Sequence, residues 1–388
     1  MDKLATSPRW LNRLDLEDSM KLHCSRSVLA SAFQTVGGVV PTRTPKDILR
    51  NVKLVVGDGQ GTLVGTDQEV GIRYLIPGVQ TDSAGEVLLP TQRVSAILRE
   101  VQSDDVEIEV GTDALWIRSG RSEFKLSIID PAEFPDVAEF NDSNFIAVPG
   151  KLLKTAIQRT VFAADVESTR YALGGVLMDV KGNELTLAAT DSRRLAVSKA
   201  PVTIHGELPA DAPAPIIPSK AMSLIERNIS DPDADVQIAA HKNDVLVKCG
   251  STTIYSRLVE GRFPKYQDVV PKSSAVRIEL VAGPFLSAVR QAMIVTNEES
   301  RGVDFSFGGD TLTLASVGAD VGTSRIELPV SYGGDEITVT FDPKFVVDFL
   351  RVFDSATAVS LNLNDANSAA LFTAEQNHQY VVMPLARE

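Results

Sequence analysis

The chain is poor in the residues that staple, anchor or metallate proteins. Two cysteines occur in 388 residues, Cys24 and Cys249, far apart and in no C-x-x-C. That excludes a disulfide framework and a zinc ribbon, and it fits buried, reduced thiols in a reducing cytoplasm. No apolar run approaches the ~20 residues of a membrane span. The opening stretch MDKLATSPRWLNRLDLEDS has no apolar signal core, so a cytoplasmic chain without membrane contact is expected. The histidines (His23, His205, His241 and His378) are scattered and show no zinc spacing. GDGQGT at Gly57 lacks the Gly-Lys-Ser/Thr of a phosphate loop and reads as a hairpin turn. No G-x-S-x-G marks a hydrolase. No cofactor and no metal are expected, and an enzyme, such as a nuclease, finds little support.

Basic residues are also the minority. Lys and Arg total 38 against 51 Asp and Glu, for a net charge of −13. Such a chain is repelled by nucleic acid unless its cations are segregated onto one surface. What is present is ordinary globular composition: 44% hydrophobic and 23% charged, with a mean hydropathy of +0.02. The length suggests two or three domains.

Repetition organises the sequence. An apolar strand closing on Thr-Asp occurs as GTLVGTDQEV (Thr66-Asp67) and again as NELTLAATDSRRLAV (Thr190-Asp191), offset by 124 residues. A weaker third copy, DTLTLASVGADV, lacks the pair. Asp67 and Asp191 could be read as paired carboxylates, but their repeat-related positions suggest turns in which each caps backbone N–H groups. A second signature is a strand ending in Pro or Asp-Pro, then an amphipathic helix: LLPTQRVSAILREV, IIPSKAMSLIER and TFDPKFVVDFLRVF. Lys220 and Arg227 recur as Lys344 and Arg351, again at an offset of 124, and each pair is seven residues apart on one helical face. The first copy keeps Arg93 but has Glu100 in place of the second cation. A third signature is an earlier amphipathic helix: SRSVLASAFQTV, PGKLLKTAIQRTVF and GPFLSAVRQAMIV. Alternating stretches such as VEIEV, VQIAA and AVSLNLN read as strands.

The expected fold is therefore α+β: three similar domains, each with two helices and antiparallel sheets, at 20–146, 147–272 and 273–388. Residues 1–19 read as an N-terminal extension, expected to be disordered. A row of such units curves, and self-association could close the curve with the cationic helix faces inside.

RYALGGVLMDV, LAATDSRRLAV, EGRFPKYQDVVP and the terminal YVVMPLARE, in order on a threefold repeat, resemble the bacterial DNA polymerase III beta subunit family, the DNA sliding clamps. The resemblance runs from Met20 to the C-terminus. It implies a non-catalytic processivity factor: a ring-shaped homodimer around double-stranded DNA, bound without regard to sequence. It also implies DNA-contacting roles for Arg43, Arg170, Tyr171, Lys220, Arg227, Arg301 and Lys344. Its partners would be the DNA polymerase III alpha subunit, the clamp loader complex, and other polymerases and repair proteins. These would insert short peptides into a cleft between the second and third domains. The matching cleft positions are Leu173, Thr190, Ser192, Arg193, Arg194, Leu195, Pro264 and Val269, then Phe345, Val381, Met383, Pro384 and Leu385. This chain departs from the pattern at Ser192-Arg193 (commonly Gly-His), at Ala172, at Asp268 and in its LARE ending. A repeat scaffold that binds proteins without encircling DNA is the alternative reading.

Overall fold

Six helices form among the described residues, each where apolar residues recur at helical spacing: α1 (Arg26–Gly37), α2 (Thr91–Glu100), α3 (Gly150–Gln158), α4 (Ser219–Asn228), α5 (Ala282–Ala292) and α6 (Pro343–Leu350). In α2 the buried pair is Val94 and Leu98, one turn apart. In α6 Asp342 caps the N-terminus by accepting from the Lys344 N–H at 3.0 Å, and Pro343 occupies the first turn, where its missing donor costs nothing. The computed structural model describes residues 20–111, 113–165, 171–208, 213–297, 301–318, 321–375 and 377–386. The expected extension, 1–19, lies outside them.

The chain packs as two units. The first holds residues 20–146 with His205–Glu207 and Arg227–Arg257. Its five-stranded sheet runs Gln80–Ser83, Lys21–Ser25, Asp105–Val110, Leu115–Ser119, Ser122–Leu126. Its larger sheet includes Asp235–Ala240, Asp244–Cys249, Thr252–Arg257, Val70–Ile76, Gln60–Thr66, Asn51–Gly57 and Gly85–Pro90, in that order. Within it Thr252–Ser256 pairs antiparallel with Val70–Tyr74, so strands of two sequence repeats share one sheet. The Asp58-Gly59 turn of GDGQGT joins two of these strands with φ of 49° and 71°. Positive φ at both positions is what a two-residue hairpin with right-handed strand twist requires. Cys24 and Cys249 are both buried, and burial pushes each thiol up to about 12, which leaves them unreactive.

The second unit holds 147–204, 208–226 and 258–388. Its eight-stranded sheet runs Ile216–Pro218, Gly175–Lys181, Glu184–Thr190, Arg194–Pro201, His378–Val382, Ala370–Ala374, Ala358–Leu363, Val276–Val281. At its middle Arg194–Ser198 pairs antiparallel with Val382–His378, joining the second repeat to the third. A four-stranded sheet (Gly322–Pro329, Thr311–Gly318, Val303–Gly308, Ile337–Phe341) lies against α5. The core here is aromatic: Phe285, Phe305, Phe341, Phe349, Phe372 and Tyr380 are fully buried and meet edge-on or tilted at 5–6 Å, with Tyr380 stacked on Phe349 at 5.2 Å.

Candidate functional site

The site grows from a turn that the sequence builds twice. Thr190 accepts from the Ser192 N–H and donates to the Arg194 carbonyl at 2.6 Å; Asp191 Oδ1 accepts from the Arg193 and Arg194 N–H groups at 2.9 and 3.0 Å. Thr66 and Asp67 make the same bonds to Gln68, Glu69 and Val70. Both aspartates are thus structural caps, as their repeat positions suggested. Gln68 and Ser192 occupy the left-handed region, at φ 80° and 76°, which costs a residue with a side chain about 1 kcal/mol.

The two turns part at their last residue, Val70 in one and Arg194 in the other. Arg194 turns inward. Its Nε donates to Asp191 at 3.0 Å, Nη1 to Asp348 of α6 at 2.7 Å and Nη2 to the Phe162 carbonyl at 2.9 Å. Its guanidinium lies 4.5 Å above the Phe345 ring. Burial alone would depress the Arg194 pKa, but Tyr380, Asp348 and Asp191 around it hold it above its ordinary value. Tyr380 donates to the Phe345 carbonyl at 3.0 Å, tying the last strand to α6.

Above this pair lies the chain's end. Leu195 faces Val381 across the strand pair, and both are buried in one apolar cluster with Leu177, Ala188, Val197, Ile216 and Tyr266. Met383, 45% exposed, donates its N–H to the Arg193 carbonyl at 2.9 Å, and Leu385 donates its own to Thr340 at 2.8 Å. Terminal residues are held this way only when docked. Arg193 is exposed, with its guanidinium 4.9 Å over Phe345. Val269 is 54% exposed, and its N–H bonds the carbonyl of Tyr266, a member of the same cluster. Pro264 is exposed at the start of that loop, its carbonyl accepting from Tyr266; Leu173 is buried, its carbonyl accepting from Asp165. Of the expected cleft residues, the structure brings Arg193, Arg194, Leu195, Phe345, Val381 and Met383 directly together.

Behind the turn His378 stacks on Phe349 at 5.5 Å, its Nδ1–H donating to the Val197 carbonyl at 3.0 Å. Its Nε2 and the Nε of nearby Arg159 are buried and without a hydrogen-bond partner among the described residues. Burial, reinforced by the Arg159 charge, lowers the His378 pKa to about 3, so it is neutral at neutral pH.

The expected DNA-contacting cations are exposed where described. Arg43 lies on a loop of the first unit. Lys220 and Lys344 lie in the first turns of α4 and α6. Arg227 is in the last turn of α4, and Arg301 precedes the strand Val303–Gly308. Arg351 pairs with Asp348 at 3.2 Å. Arg170 lies outside the described residues, as does the side chain of Tyr171. Asp348 and His378 were missed in the sequence. Asp348 left one signal: a lone acid in the apolar run FVVDFL. Among the described residues no cluster of His, Cys, Asp and Glu could hold a metal, and no helix is long and apolar enough to cross a membrane.

Family models of the DNA polymerase III beta subunit match three consecutive stretches: the N-terminal domain at 20–138, the central domain at 147–265 and the C-terminal domain at 267–386. The beta sliding clamp of Pseudomonas putida is 31% identical over 373 residues, covering 94% of this chain and all of that protein. This chain belongs to the DNA polymerase III beta subunit family. Among solved relatives, the DNA polymerase sliding clamp of Bacillus subtilis superposes with a TM-score of 0.88 at 27% identity, covering 96% of this chain and all of that one. The DnaN sliding clamp of Pseudomonas aeruginosa bound to griselimycin gives 0.88 at 30% identity, covering 95% and 100%. In the family's terms, the sheet seam at Arg194–Ser198 joins the central domain to the C-terminal domain, and Arg194 and Asp348 are contributed one by each.

Proposed function

We propose that the chain is a DNA sliding clamp: a homodimeric ring that encircles duplex DNA and tethers the replicative polymerase and other replication and repair proteins. The observation that carries this reading is the family match, which runs in order through three consecutive stretches from residue 20 to residue 386. The reading takes the domains as 20–146, 147–272 and 273–388, the chain as non-catalytic, and its location as the cytoplasm.

Two sheet edges support the dimer. Ser122–Leu126 and Gly322–Pro329 are end strands of their sheets, each with one edge unpaired among the described residues. Beside the second, α5 presents Leu286 and, just beyond its end, Ile294, which is 75% exposed. An open strand edge with exposed apolar side chains next to it is ready to add a partner strand. Joining the unlike edges of two copies closes a two-fold ring.

In such a ring Arg43, Arg170, Lys220, Arg227, Arg301 and Lys344 contact phosphates. These contacts exchange freely with counterions and so permit sliding. Tyr171 stacks on bases where the template is unpaired. The seam residues from Leu173 to Leu385 form the cleft that takes partner peptides, including those of the DNA polymerase III alpha subunit and the clamp loader complex. Met383 suits such a cleft, because its thioether adapts to varied anchors.

The test is topological. Loaded by its clamp loader onto nicked circular DNA, the protein remains bound through gel filtration and is released when the circle is cut. Equal retention on linear DNA overturns the ring, and so does no retention on the circle.

A further inference from the structure

We propose that His241 is a proton-operated latch on the connector between the first two repeats: doubly protonated, it ties the connector down, and loss of one proton releases residues 140–143. The family models leave 139–146 between the N-terminal-domain match and the central-domain match. Residues 135–144 adopt neither helix nor strand, and the chain enters a sheet at Phe145–Pro149, between Thr203–His205 and Asp235–Ala240. Side chains hold the irregular part. Arg73 donates to the Val137 carbonyl at 3.3 Å and pairs with Glu139. Asn144 Oδ1 accepts from the Glu207 N–H at 3.1 Å, and Phe145 stacks on His205 at 4.6 Å and meets Phe140 edge-on at 5.8 Å. Between these anchorages Asp142 reaches His241, on the turn that joins Asp235–Ala240 to Asp244–Cys249.

The geometry fixes the charge state of the ring. Nδ1 lies 2.6 Å from Asp244 Oδ1, and Nε2 lies 2.8 Å from Asp142 Oδ1. Ionised carboxylates only accept, so both nitrogens carry hydrogens, and only the imidazolium has both. The charged groups facing the ring are Asp244 from its own turn and Asp142 from the connector. Lys242, next in the turn, is exposed; Glu139 is engaged by Arg73, and His205 by its stack on Phe145. The two carboxylates raise the His241 pKa above its ordinary 6.5, so the closed form persists above that pH and gives way as pH rises through the raised value. A neutral ring has one N–H to give. Asp244, three residues away in the same turn, keeps it at little entropic cost; Asp142, 99 positions away, is the partner let go.

The test is cleavage of the full-length protein after Phe140 by chymotrypsin, followed by mass spectrometry. Dividing each rate by that on a free peptide of residues 136–147 removes the protease's own pH dependence. The ratio rises about two- to fivefold from pH 6.5 to pH 9, the scale of one exposed ion pair. His241→Gln and Asp142→Ala are each cut at the higher ratio at both pH values. In the unaltered protein, the histidine NMR signal that His241→Gln removes titrates with a midpoint above pH 6.5. A ratio independent of pH overturns the latch, and so does the same rise in His241→Gln. A midpoint at or below pH 6.5 overturns it without recourse to any variant's fold. These readouts involve neither DNA nor a peptide ligand, so their failure leaves the ring and cleft readings standing.

Discussion

Arg194 and Asp348 stand 154 positions apart in the chain and 2.7 Å apart in the fold. Their side chains are 9% and 10% exposed, so neither can turn to water if the other is lost. Breaking a buried pair from one side costs up to about 3–5 kcal/mol, and the second partner each residue keeps, Asp191 or Arg351, lowers that cost. Asp348→Ala and Arg194→Ala each lower the urea midpoint accordingly. The double variant loses far less than the two losses added together. A loss under about 1 kcal/mol in either single variant would count against the pair as a structural tie.

His378 makes stability depend on acid. Its folded pKa, lowered to about 3 by burial and by Arg159, lies well below the ordinary histidine value of 6.5. Between those values the unfolded chain binds a proton that the folded chain does not. Stability contributed by His378 is therefore complete above pH 6.5 and falls by about 1.4 kcal/mol per unit as pH drops below it. His378→Phe, which keeps the stack on Phe349, flattens that slope in urea unfolding at pH 7, 6 and 5. A slope unchanged by the substitution would refute this. His241 works in the opposite sense: hydrogen bonds that its ring donates to Asp244 and Asp142 raise its pKa, so its contribution is full below pH 6.5 and fades as pH rises through the raised value. His241→Gln separates the two.

Ser192 at φ 76° occupies backbone that glycine adopts without penalty. Ser192→Gly keeps the Thr190–Asp191 turn and raises stability by up to about 1 kcal/mol, whereas Ser192→Val lowers it by at least as much. Calorimetric melting of both variants checks the sign. If both melt alike, the left-handed backbone is not the governing feature.

The proposed cleft includes the tail. Deleting the last five residues removes the Leu385–Thr340 bond and the wall next to Met383. A labelled clamp-binding peptide then loses at least an order of magnitude in affinity while sedimentation still reports a dimer. Undiminished affinity would show that the tail is not part of the cleft.

Ile294→Asp, by contrast, addresses assembly. The unaltered protein sediments at about twice its 41.8 kDa chain mass. A charge at an exposed apolar position beside the open strand edge shifts it to the single-chain mass at micromolar concentration. An unaltered dimer would place the interface elsewhere.

Much of this architecture is legible in the residues. All six helices follow the apolar spacing, and the paired Thr-Asp turns follow from repetition, because both signals are local. The partners of each strand are not local. Nothing in TTIYSR says that it lies beside VGIRYLI of another repeat, since alternation gives a strand its faces but not its neighbour. At the site, Leu195, Val381 and Met383 are recognisable through family resemblance. Asp348 is not, because its meaning depends on an arginine brought to it by the fold. Arg193 is given by the resemblance as a cleft position, but its place 4.9 Å over Phe345 comes only from the fold.

The strand His378–Val382 closes the middle of the eight-stranded sheet. Without it, Arg194–Pro201 is an open edge with no neighbour on that side, and Leu195 lacks its facing Val381. A chain truncated before His378 therefore carries an aggregation-prone border.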